Sequence, residues 1–170
     1  MDESMSFFDK IGSGIDKVAR IFSQLSVLIM VVVVLIGVFM RYFIKEPLVW
    51  GDELAKYSLV YMTFIGASVA LRDKGVAAME LLIDKLPGKT RIIVNIVIYL
   101  LEIILLSFLF HNSINLLLQD SVQNQISPGL LIPMSWVYFS MPLGIGLMVL
   151  QAILLLYNES KEFFIKGGNR

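Results

Sequence analysis

Glu102 and His111 interrupt the long, mainly apolar run from Ile92 to Gln119. Glu102 follows Arg91 by eleven positions, about 16 Å along a helix, which puts it near the middle of a membrane span. A carboxylate at that depth costs on the order of 3 kcal/mol even on lenient insertion scales, so it should face protein rather than lipid. Two chemistries suit it: a proton or sodium relay, or a hydrogen-bonded carboxylate at a helix interface. A chain that transports on its own needs several intramembrane polar groups and broken helices. A single carboxylate among nearly uninterrupted helices favours the structural role. His111 is the sole histidine, so bis-histidine haem ligation within the chain is ruled out, and a buried or interface-satisfied imidazole is the expectation. With no cysteine there can be no disulfide, thiolate zinc site, iron–sulfur cluster or cysteine nucleophile. Serines lack a histidine at useful spacing and no glycine-rich phosphate loop is visible, so the residues predict no enzyme, no cofactor and no metal.

A second concentration of polar chemistry lies at 41–57, where Arg41, Lys45, Glu46, Asp52, Glu53 and Lys56 are mixed with Tyr42, Trp50 and Tyr57. Pro47 opens a turn. Asp52 or Glu53 could pair with Lys56 one helical turn on, but exposed pairs of that kind contribute only about 0.2–1 kcal/mol. That is too little to account for so dense a cluster beside apolar spans. It reads either as a lipid-headgroup anchor or as a docking surface for another membrane chain. Arg41, Trp50, Asp52, Glu53, Lys56 and Glu102 are therefore candidate structural or interface residues.

The elements that must hold these groups are membrane helices. Of 170 residues, 57% are hydrophobic and 16% charged, with mean hydropathy +0.78, against roughly 25% charged in soluble domains. Net charge is zero, which leaves no basic excess for nucleic acid. Apolar runs predict an all-α membrane protein with transmembrane helices at 21–44, 54–71, 91–119 and 134–157, each long enough to cross or nearly cross the hydrocarbon core. Pro142 should loosen or kink the last of them. Helical periodicity adds amphipathic segments at 6–20 and 76–86, read as interfacial helices on the membrane surface. The acidic start Met1-Asp2-Glu3 does not suit a cleaved signal peptide.

Basic residues orient the spans. Lys10, Lys17, Arg20, Arg72, Lys74, Lys85, Lys89, Arg91, Lys161, Lys166 and Arg170 fall on one side, and Arg41, Lys45 and Lys56 on the other. The positive-inside rule then predicts both termini in the cytoplasm. Tyr42, Trp50, Trp136 and Tyr138 gather at the outer interface as anchors.

The residue pattern also carries a resemblance. Arg41-Tyr42-Phe43, Pro47-Leu48, Trp50 and the run from Asp52 to Tyr57 resemble the first signature of the small membrane subunit (DctQ-type) of tripartite ATP-independent periplasmic (TRAP) transporters. Gly66-Ala67, Ala70-Leu71-Arg72, Gly75, Glu80-Leu81-Leu82 and Asp84-Lys85-Leu86-Pro87 are similar to a second signature, and Ile132-Pro133, Trp136, Tyr138 and Pro142-Leu143-Gly144 to a looser third. The chain departs from many relatives at Val76 and Glu80, where they carry His and Asp, so no role of that histidine transfers. The variant is similar to the sialic-acid branch. The resemblance implies a non-catalytic scaffold subunit of a sodium-coupled organic-acid importer in the bacterial inner membrane. It implies a large membrane subunit as stable partner, a periplasmic substrate-binding protein as transient partner (the 120–132 loop being one place it could touch), phospholipids around both, and no nucleic acid. The rival reading is a membrane anchor of a respiratory or other membrane enzyme complex, which usually needs two axial histidines for haem.

Overall fold

The computed structural model describes residues 3–73 and 88–167, with side chains for 12–73 and 90–161. The predicted 76–86 helix lies outside the described residues. Helix α1 spans Glu3–Phe39 and widens into a π-helical turn at Met40–Ile44, closed by Lys45 in the left-handed region at φ 62°. Then come α2 (Val49–Arg72), α3 (Gly88–Leu117), the short α4 (Asp120–Gln123) and α5 (Ser135–Gly167). Four stretches are long and apolar enough to cross a membrane: Gly12–Ile44, Val49–Arg72, Thr90–Leu117 and Ser135–Lys161. The chain is an all-α membrane protein with four such helices.

The helices stand in single file, α1, α2, α5, α3; α3 makes no extended contact with α1 or α2 among the described residues. α1 and α2 run antiparallel, joined near one end by Arg20 and Asp73. α2 and α5 run parallel, so Tyr61 meets Trp136 near one end and Gly12 lies against both Arg72 and Leu154 at the other. The described ends of α1 and α5 therefore share one end of the row. The connection through 124–134 occupies the opposite, or loop, end.

Small residues make the packing. In α1 the buried positions Gly12, Ala19, Ser26 and Val33 recur every seven residues, as do Gly51, Ser58 and Ile65 in α2. This is the heptad spacing of two helices that hold one face together. The α2–α5 contact is closer still: a Cβ at Gly144 would lie 2.5 Å from Phe64 Cβ and 2.6 Å from its carbonyl oxygen. Ser68 and Ser140 are fully buried there and return their hydroxyls to Ile65 O and Val137 O at 2.7 Å. Such pairing makes buried serine acceptable in an apolar seam. Leu106, Ile145 and Ala152 form the α3–α5 core, and Asn95 donates to Glu159 at 3.2 Å beyond it.

Some boundaries differ from the sequence expectation. The 6–20 segment is not set apart from the 21–44 span, because α1 runs through both without a break. Its apolar residues Ile15, Val18 and Ala19 line a cleft with Phe22, Ile65, Leu143 and Leu147, in which Ala19 is buried while Val18 stays exposed. Gly12 lies within the unbroken α1, where an added Cβ would stand 3.0 Å from Leu154 Cδ1 and 3.1 Å from Arg72 Nη1. α2 begins at Val49 rather than 54; Asp52 in its first turn complements the positive end of the helix. α5 continues ten residues past 157 to Gly167, and Pro142 is accommodated within one continuous helix.

Candidate functional site

At the loop end, Glu53, Tyr57 and Tyr61 recur every four residues and form one stripe on α2. Each holds a successive part of the chain leading into α5. Gly129 N donates to Glu53 Oε1 and Leu130 N to Glu53 Oε2, both at 3.0 Å. The Ser127 hydroxyl also donates to Glu53 Oε2. Tyr57 donates to Met134 Sδ at 3.4 Å, and Tyr61 to Trp136 O at 2.6 Å.

The loop is shaped to receive the carboxylate. Ile126 and Pro133 face each other in an isolated antiparallel bridge. Ser127 N donates to Ile132 O at 2.9 Å, Leu131 N to Ser127 O at 3.0 Å and Met134 N to Gln125 O at 2.9 Å. Leu131 takes the left-handed conformation, φ 54°, to complete the reversal. Consecutive amides of Gly129 and Leu130 thus point at one anion, a cradle built from backbone. Gly129 is required by closeness: a Cβ there would stand 3.0 Å from the Glu53 carboxyl carbon and 3.1 Å from Val49 O. Charge-assisted bonds of this kind are stronger than neutral ones.

The other candidates lie around this clasp with different partners. Asp52 faces Arg41 at 3.6 Å with both side chains well exposed, a pair that contributes little. The expected Asp52–Lys56 or Glu53–Lys56 pair does not form among the described residues. Asp52 turns to Arg41 and Glu53 to the loop, which leaves Lys56 exposed. Trp50, Tyr42 and Trp136 are exposed at the same end and Tyr138 is half-buried; Phe39 and Phe43 stack at 4.7 Å nearby. Glu102, half-buried on α3, is far along the row from this cluster. His111 is exposed on α3 within this chain, so of the two expectations only an interface with another chain stands. No cluster of three metal-ligating side chains occurs among the described residues.

Sequence reading did not single out Ser127, Gly129 or Tyr61. Ser127-Pro128-Gly129 is a turn signal and the spacing of Glu53, Tyr57 and Tyr61 is a helical stripe, but nothing local says that the two meet.

An apolar four-helix row with a polar clasp at one end defines a multi-pass membrane protein. The chain belongs to the DctQ component family of the tripartite ATP-independent periplasmic transporters, whose pattern matches residues 30–162. A TRAP transporter small permease protein of Haemophilus influenzae is 26% identical over 129 residues, 76% of this chain and 78% of that protein. The ectoine TRAP transporter small permease protein TeaB of Halomonas elongata is 29% identical over 130 residues, 76% of this chain and 67% of TeaB. The sialic acid TRAP transporter permease protein SiaT of Haemophilus influenzae is 28% identical over 113 residues, 66% of this chain but only 18% of SiaT. The counterpart of this chain is there one part of a much longer permease.

Proposed function

We propose that this chain is the non-catalytic scaffold subunit of a sodium-coupled importer of an organic acid in the bacterial inner membrane. It holds a large membrane subunit as a stable partner and is visited by a periplasmic substrate-binding protein. The observation that carries this reading is the single file of helices. A row fixed at both ends, with Leu35, Leu101, Ile104 and Phe108 each more than 60% exposed, has the form of a wall. Walls of this kind need a lateral neighbour or lipid on each flank, and the SiaT alignment, in which the same sequence is part of a larger permease, supports a protein on one of them.

The eleven basic residues of the predicted inner side support both termini in the cytoplasm, with Tyr42, Trp50, Trp136 and Tyr138 at the outer interface. Arg41, Trp50, Asp52 and Lys56 are the exposed candidates for contact with the large subunit, whereas Glu53 works inside this chain. Glu102 has no hydrogen-bond partner among the described residues and offers an acceptor to the large subunit within the membrane. Cargo is chosen elsewhere, since the named relatives include ectoine and sialic acid systems; sialic acid is the first substrate to assay. Co-expression of the tagged chain with its neighbouring large permease, followed by purification in mild detergent, should return both in equal amounts. Recovery of this chain alone counts against the reading. Glu102→Gln should keep assembly and sodium-dependent uptake; intact assembly with lost sodium coupling reassigns Glu102 as an ion relay.

A further inference from the structure

One face of α2 differs from the outward faces of its neighbours. Asp52, Lys56, Leu59, Thr63 and Ala70 are exposed and Ala67 is half-buried; steps of three or four residues bring all six to one side of the helix. Leu59 alone among them is large and apolar. α3 instead turns out Leu101, Ile104, Leu105 and Phe108, and α1 turns out Leu28 and Leu35. Lipid tails are as apolar as such leucines, whereas contacts between membrane helices favour Gly, Ala, Ser and Thr, which let backbones come close.

α1 completes a groove on that side. Ser23 and Gln24 line it with Thr63, Gly66, Ala67 and Ala70, and Arg20 and Asp73 lie at its end. Arg20 donates to Asp73 Oδ1 at 2.9 Å and Oδ2 at 3.0 Å, which holds the two helices together there. A Cβ at Gly66 would stand 3.0 Å from Ser23 Oγ, so α1 and α2 touch along the groove floor. Thr63 donates to Leu59 O at 2.7 Å within its own helix. Gln24 is exposed and has no hydrogen-bond partner among the described residues, although it lies four residues, about 6 Å, further into the span than Arg20. An unpaired carboxamide is costly in hydrocarbon. The opposite side of the α1–α2 seam is different: Ile15, Val18, Phe22, Ile65, Leu143 and Leu147 line its cleft, and no polar side chain joins them among the described residues.

We infer that this groove seats a transmembrane helix of the large membrane subunit, one that carries small side chains where it crosses Gly66, Ala67 and Ala70 and a hydrogen-bonding side chain opposite Gln24. The seat presupposes the large subunit proposed above and gives it one of the two flanks of the row. Lipid in this place leaves Gln24 unpaired and gains little from alanines, so the occupant is protein. It is the large subunit rather than a second copy, because the counterpart of this chain in SiaT is 18% of one longer permease. Asp52 and Lys56, exposed candidates for that contact, continue the same face of α2 to the loop end.

Co-isolation with the tagged large permease tests this. Thr63→Leu combined with Ala70→Leu puts bulk in the groove at two exposed positions, which lipid accepts but a seated helix does not. Recovery of this chain with the permease should fall about tenfold or more through overpacking, while the melting temperature of the chain alone stays as it is. Gly14→Leu, which fills the opposite cleft, should leave recovery unchanged. Undiminished recovery of the double variant, or loss on Gly14→Leu alone, overturns the seat; the large-subunit reading survives that result as long as the unmutated pair co-isolates. Failure of the unmutated pair to co-isolate removes both. A photoreactive benzoylphenylalanine in place of Thr63 provides an independent readout in intact membranes. A cross-link to the large permease is expected, and adducts only with lipid or with a second copy of this chain overturn the inference.

Discussion

Glu53 and Asp73 are carboxylates at opposite ends of α2, and each ties that helix to a different part of the chain. Glu53 is met by two backbone amides and a serine hydroxyl. Glu53→Gln keeps the shape but turns one oxygen into a donor, which then confronts another donor. Limited proteolysis should show cleavage within 124–134 rising several-fold in this variant, as expected when a loop loses its local restraints; an unchanged pattern would mean the loop is held by its own bridge. Asp73 accepts both bonds from Arg20, and this hydrogen bonding holds its carboxyl below the ordinary value of 3.8. A carboxyl lowered on folding contributes stability above its unfolded value and loses it as pH falls through the folded one. Melting curves in acid should therefore decline less steeply for Asp73→Asn than for the unmutated chain. Parallel curves would show that the ion pair is not formed in solution.

At the scale of the element, the decisive feature is how closely α2 and α5 approach. Gly144 abuts the Phe64 backbone, which cannot move away, whereas Gly146 faces the edge of the Phe110 ring at 3.1 Å. Gly144→Ala should lower stability by about 1–3 kcal/mol through overpacking, while Gly146→Ala should stay within about 0.5–1 kcal/mol as the ring shifts. Thermal unfolding in detergent separates the two, and equal effects would place the close crossing elsewhere. The same geometry explains why α2 has so little apolar character for a membrane span. Its serines and glycines serve contact with helices on both sides rather than with lipid.

For the whole molecule, orientation is the quantity that most affects function. The absence of native cysteine allows single labels to be introduced without background. Leu131, 75% exposed at the loop end, and Lys161 near the other end provide two reporters. In intact cells stripped of their outer membrane, an impermeant maleimide should label Leu131→Cys and spare Lys161→Cys. The reverse pattern would invert the proposed topology and remove the clasp from the periplasmic side.

The apolar runs and the basic asymmetry of the chain were enough to define four spans and an all-α class, because crossing a bilayer is a local demand on composition and length. The same was true of the 41–57 cluster, whose cost beside a membrane marks it as needing partners. Order along the row was not legible. That α5 lies between α2 and α3 depends on Gly144 meeting Phe64, and the period of either helix alone does not encode it. Nor could spacing say that Glu53 turns to Gly129 and Leu130 rather than to Lys56, since those amides are more than seventy residues away and compete on equal terms until the loop closes. Sequence determined which residues needed partners; only tertiary structure, by bringing distant backbone within hydrogen-bond reach, decided which partners they have.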